Sequence, residues 1–202
     1  MYKEYINITE EPIRTFLDAV DSVLNSNTFL LAFDINTKDI REALWNFLND
    51  PNFIQQLANQ DKQRGWYNLH NLNLDTQTYE LKKGNIVKDE SQLKIEIPHF
   101  DRKEYLIAML TGDTTKGRFR SFYHKQLKRE IAEAIVNSLS YYLFSNKNWA
   151  LYIVYPDFLK DAIEVYSKDE SLRYFEGDYG NDNASILKCG KKGFLLLTNG
   201  ID

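Results

Sequence analysis

Apolar residues recur every three to four positions in some stretches of the chain and every second position in others, which separates helices from strands. The first helical stretch places Ile13, Phe16, Leu17, Val20, Val23 and Leu24 on one face. It follows Thr9-Glu-Glu-Pro12, which reads as a cap, two acids and an early proline, and it stops at Asn25-Ser-Asn27. The apolar run 28–33 predicts a buried strand. Thr37 is placed to cap a second helix with Ile40, Ala43, Leu44, Phe47 and Leu48 on its inner face. Asp50-Pro51 ends that helix and starts a third, carrying Phe53, Ile54 and Leu57.

From Trp66 to Pro98 the period shortens to two. Strands are expected around Leu72, over 76–82 and over 92–97, with Lys-Lys-Gly-Asn at 82–85 as a turn. Asp101 and Glu104 have capping-box spacing and open a helix through Tyr105, Leu106, Met109 and Leu110. After a loop between Gly112 and Gly117, one long helix is predicted near 118–144. Its inward face would carry Phe119, Leu127, Ile131, Ile135 and Leu139. The last third predicts a strand at 149–155, a helix at 157–166, and strands at 172–175, 184–189 and 193–198. The last two are joined by the turn Gly190-Lys-Lys-Gly193. The expected fold is α+β: a mixed, mainly antiparallel sheet packed by several helices, with the 118–144 helix at its centre. No repeat, linker or low-complexity tract interrupts the chain. Residues 1–202 therefore read as a single composite domain, and any subdivision would fall near 98–101.

Composition narrows the function classes. The chain has 202 residues, 43% of them apolar and 27% charged, with a formal net charge of −4. That balance is globular and argues against a generally basic nucleic-acid coat. The lone cysteine, Cys189, excludes a disulfide scaffold and a Cys-rich zinc site. No run approaches the ~20 apolar residues of a spanning helix, and the N-terminus lacks an apolar leader. The expectation is a cytoplasmic protein with no membrane contact. Eighteen asparagines suit an AT-rich bacterial or phage genome.

Two segments carry candidate chemistry. Residues 116–129 hold six cations and no acid, interleaved with Phe119, Phe122, Tyr123 and His124. On a helix, Arg118, Lys125 and Arg129 would share a face, with Arg120 beside them and Lys116 in the preceding Gly-x-x-x-x-Gly loop. This is an anion-binding arrangement for phosphate or nucleic acid. It is not a P-loop, because Arg118 follows Gly117 where Lys-Ser/Thr is required. The plainer reading is a solvated helix face. Residues 174–183 combine Tyr174, Phe175 and Tyr179 with Glu176, Asp178 and Asp182. Aromatic anchors among carboxylates suit contact with a cationic partner, the partner-binding residues being Tyr174, Glu176, Asp178, Tyr179 and Asp182. The plainer reading is a polar turn. EF-hand spacing is missing, so no metal is expected there.

The three histidines, His70, His99 and His124, never stand at i, i+4. His99 with Asp101 has base-and-orienter character, and His124 lies among cations. Asp18/Asp21 and Glu130/Glu133 are helical carboxylate pairs of the kind any solvated face shows. No nucleophile elbow is present. No catalytic residue and no cofactor are therefore expected. The sequence points to a binding protein rather than an enzyme: an immunity-type inhibitor of a cationic toxin, bacterial or phage in origin. A phosphate- or nucleic-acid-binding module built on 112–129 is the alternative. An enzyme of unfamiliar type, using His99, Asp101 or His124, is the second.

Overall fold

The computed structural model describes residues 6–66, 70–73, 78–81, 83–85, 93–117, 119, 121, 125–155, 164–166, 171–173 and 183–200. In chain order the elements are α1 (Glu11–Leu24), β1 (Ser26–Asp34), α2 (Ile40–Leu48), α3 (Pro51–Gln63), β2 (His70–Asn73), β3 (Thr78–Leu81) and β4 (Lys83–Asn85). They continue with β5 (Ile95–Glu96), α4 (Arg102–Thr111), α5 (Arg129–Phe144), β6 (Ala150–Val154), β7 (Glu164–Tyr166), β8 (Ser171–Arg173), β9 (Asn183–Cys189) and β10 (Lys192–Gly200).

Five strands form an antiparallel sheet in the order β1-β10-β9-β6-β5. Successive side chains on a strand point to opposite faces, and both faces here are apolar. Leu30, Ala32, Leu187, Phe194 and Leu196 face one way, into a core shared with α1, α4 and α5. Phe29, Leu31, Phe33, Ile186, Leu195 and Leu197 face the other, into a core with α2 and α3. The sheet is thus sandwiched between two helical layers, which explains why its strands read as continuous apolar runs rather than as alternations. Helices packed on an antiparallel sheet make the fold α+β. Two smaller pairings, β2-β3 and β4-β7-β8, complete the described strands.

The central helix is α4. Six consecutive residues, Tyr105 to Leu110, are buried. A helix enclosed on all sides needs no polar face, so its sequence carries almost no helical period. Asp101 caps it by accepting from the Lys103 N–H at 2.8 Å. Tyr105 hydrogen-bonds Ser185 of β9, and burial raises its phenol far above the usual range.

The predicted long helix begins at Arg129 rather than near 118. Phe119 is the reason. Its ring is fully buried, edge-on to Tyr105 with centroids 4.9 Å apart. A Cβ on Gly117 would stand 2.6 Å from that ring, so only glycine allows this approach. The Leu127 N–H then donates to the Leu110 carbonyl at 3.0 Å before α5 starts. Burying one phenylalanine outweighs the local period. The inward face of α5 also differs by one residue from the expected stripe. Ala132, Val136, Leu139 and Phe144 are buried, Ile135 is half-buried, and Ile131 is 49% exposed. α5 packs on both α1 and α4, and the smaller Ala132 and Val136 let the backbones come close.

Other local expectations shift as well. The α1 cap position is Glu10, while the Thr9 hydroxyl bonds the Asn7 side chain at 2.7 Å. Asp39, not Thr37, caps α2. Residues 83–85 and 164–166 are strands paired with each other, where a turn and a helix were expected. The remainder of the expected 157–166 helix lies outside the described residues. β8 pairs with β7.

Candidate functional site

The five residues expected to meet a partner, Tyr174, Glu176, Asp178, Tyr179 and Asp182, lie outside the described residues. In sequence they join β8 to β9, and β9 is the middle strand of the main sheet. Of the five candidate anion ligands, Arg118 and Arg120 also lie outside. The other three do not share a helical face. Lys116 stands over the Phe100 ring at 5.2 Å. Lys125 precedes α5 in a non-helical segment. Arg129 bonds Glu104 at 2.5 Å and Glu133 at 2.7 Å, so two carboxylates already neutralise it. The glycines of the expected anion cradle have structural duties: Gly112 ends α4 and Gly117 makes room for Phe119. His99 sits exposed beside the α4 cap, His70 is in β2, and His124 is outside the described residues.

The described residues with the most perturbed chemistry stand elsewhere, at the start of β1. Asp21 on α1 lies against the Ser26 hydroxyl, which donates to it at 3.3 Å. Its carboxylate also bonds Thr28 and pairs with the Arg64 guanidinium. The same guanidinium reaches Asp18 at 2.9 Å, and Asp18 faces Arg14 at 3.8 Å. Arg64 also lies over the Trp66 ring, 4.7 Å from its centroid, and Trp66 meets Phe29 edge-on at 5.3 Å.

The chain reversal after α3 builds this geometry. The Trp66 N–H donates to the Asp61 carbonyl at 3.0 Å and the Gly65 N–H to the Lys62 carbonyl at 3.0 Å. That is a Schellman ending, which needs a left-handed residue, and Gly65 supplies it at φ 78°. Arg64 and Trp66 are thereby folded onto one another beside α1. A cavity of about 480 Å³ opens there, lined by Thr9, Arg14, Asp18, Asp21, Arg64 and Trp66.

Burial pushes the Asp21 carboxyl up to about 7, with Arg64, Thr28 and Ser26 pulling the other way. Desolvation wins because the side chain is only 16% exposed. The Arg64 Nε is enclosed and has no partner among the described residues, so the ion pair does not fully repay the burial of that guanidinium. The cluster can exchange a proton near neutrality. Its two aspartates are balanced by two arginines. Among the described residues, no group of three or more His, Cys, Asp or Glu side chains is placed to hold a metal ion. Cys189 is buried.

Sequence reasoning noticed Asp18 and Asp21 but read them as solvated. The available signal was position: Asp21 borders the apolar stripe at Leu17, Val20 and Leu24, so one of the two acids had to lie near the core. Arg64 and Trp66 carry no comparable local signal. Among the described residues no helix is long and apolar enough to cross a membrane. Compared with models of known protein families, with curated proteins and with solved structures, the chain gives no match.

Proposed function

We propose that this chain is a binding protein of immunity type that neutralises a cationic protein partner, such as a bacterial or phage-associated toxin. The reading rests on one segment: residues 174–183 combine three carboxylates and three aromatic rings with no lysine or arginine. Its anchorage adds to this. β9 begins at Asn183, which pairs with Thr198, which pairs with Thr28 beside Asp21. Asn183, the last residue of the segment, therefore lies at the sheet end that carries the Asp18, Asp21 and Trp66 cavity. That cluster is balanced by Arg14 and Arg64, so the negative charge that steers a cationic surface comes from Glu176, Asp178 and Asp182.

The experiment is affinity capture from the native host, followed by rate measurements with the purified partner. The double substitution Asp178→Lys and Asp182→Lys should slow association and weaken binding at least about tenfold, or 1.4 kcal/mol, with the thermal midpoint retained. Unchanged affinity in a folded double variant would overturn the reading.

A further inference from the structure

At the opposite end of β1 a second cleft opens, of about 490 Å³. That lies within the volume range of small-ligand sites. Its walls are the 34–37 segment, the end of α2 and the first turn of α3. Asn36 from the 34–37 segment, Asn46 from α2 and Asn52 from α3 all line it. Each amide offers two donors and an acceptor, and none has a side-chain partner among the described residues.

The neighbouring groups are already engaged in ways that fix the chemistry of the cleft. Lys192 pairs with Asp34 at 2.6 Å, which cancels those two charges. Asp50 uses one oxygen to cap α3, accepting from the Asn52 N–H at 2.8 Å, and keeps the other. The Thr37 hydroxyl donates to the Asp39 carbonyl at 2.8 Å, which leaves its lone pairs as acceptors. The floor is apolar, from Ala32, Phe33, Ala43 and Phe47.

Charge and geometry together select the ligand class. An anion would meet the second oxygen of the Asp50 carboxylate. A cation would compete with Lys192 for Asp34, and at Asp50 it would meet a carboxylate already held by the Asn52 N–H at the positive N-terminus of α3. A nucleobase would find no exposed ring to stack on, because Phe33 and Phe47 stack on each other at 4.9 Å and are both buried. What remains is a neutral molecule whose hydroxyls donate to carboxylate and amide oxygens, accept from amide N–H groups and rest C–H bonds on the floor. We propose that this cleft binds a neutral polyhydroxylated ligand of monosaccharide size. The site is separate from the partner-binding segment and stands or falls independently of it.

The test is saturation-transfer NMR on the full chain with a panel of neutral hexoses and pentoses, alongside inorganic phosphate, arginine amide and adenosine as competing probes. At least one sugar should show transfer, and its dissociation constant should rise at least about tenfold in Asn46→Ala/Asn52→Ala. Both asparagines are exposed, and neither substitution removes a backbone bond. Should that variant unfold, Asn36→Ala in the 34–37 segment gives the same comparison. The proposal is overturned if no sugar binds, if only a charged probe or adenosine binds, or if sugar affinity is the same in the folded variants.

Discussion

β1 has two ends that carry similar polar chemistry under opposite conditions. At its start, Arg64 pairs with Asp21, the two side chains 10% and 16% exposed. At its finish, Lys192 pairs with Asp34, at 18% and 56%. Between them, α3 lies along the free edge of the strand. Gln60 exchanges two hydrogen bonds with the backbone of Leu30, at 2.7 and 3.1 Å, and Gln56 does the same with Ala32, at 2.9 and 3.0 Å. Two glutamines one helical turn apart thus match alternate residues of a strand and stand in for a sixth strand. An edge that would otherwise invite pairing is closed by side chains. Gln60 is buried and Gln56 half-buried, so polar contacts become wetter from Ser26 to Asp34. The difference teaches that burial, more than the presence of a partner, sets what each contact contributes.

The buried end should respond most strongly. At about pH 8–9, where the Asp21 carboxylate is ionised, Arg64→Ala leaves it enclosed without its cation and should cost about 3–5 kcal/mol in urea unfolding, and less at lower pH, where Asp21 takes up a proton. It should also push the Asp21 carboxyl further upward, because a charge that lowers it is gone.

Next is the pH dependence. The folded carboxyl of Asp21 lies at about 7, against an ordinary value of 3.8. The native state therefore holds its proton where the unfolded chain has released it. Stability from this group is fully present below about 3.8 and is lost as pH rises to about 7. Roughly three pH units at about 1.4 kcal/mol each set an upper bound near 4 kcal/mol. Asp21→Asn cannot ionise and should flatten that part of the stability profile. An unchanged slope in the variant would assign the titration to another group.

Gln60→Ala should come third. It orphans a buried N–H and a buried carbonyl on Leu30, and about 2–3 kcal/mol should be lost. Gln56→Ala should cost less than Gln60→Ala, because water can reach Ala32. Equal losses would remove the gradient along β1. At the wet end, Asp34→Asn should change stability by less than about 1 kcal/mol, as exposed ion pairs do. A loss as large as that of Arg64→Ala would end the comparison.

Much of this scaffold was legible in the sequence. The stripe of α1, the apolar run of β1, the Asp101 cap and the hairpin at Gly190 all follow from local period and turn chemistry. α4 was found from its cap, but its central place was hidden, since a helix buried on every side has no amphipathic signature. The start of α5 was misplaced because Phe119 continues the helical period in sequence yet is held by Tyr105 in space. The titratable cluster at Asp21 was the least legible part. Arg64 lies 43 residues away and reaches α1 only through the reversal at Gly65. The glutamines of α3 are equally silent, since their i, i+4 spacing matters only once a strand edge lies alongside.

The most direct measurement is a carbon-detected NMR titration of the Asp21 carboxyl in the native protein. If burial governs the start of β1, its midpoint falls near 7. A midpoint at or below 4, the range of a carboxylate governed by its arginine, would contradict the account.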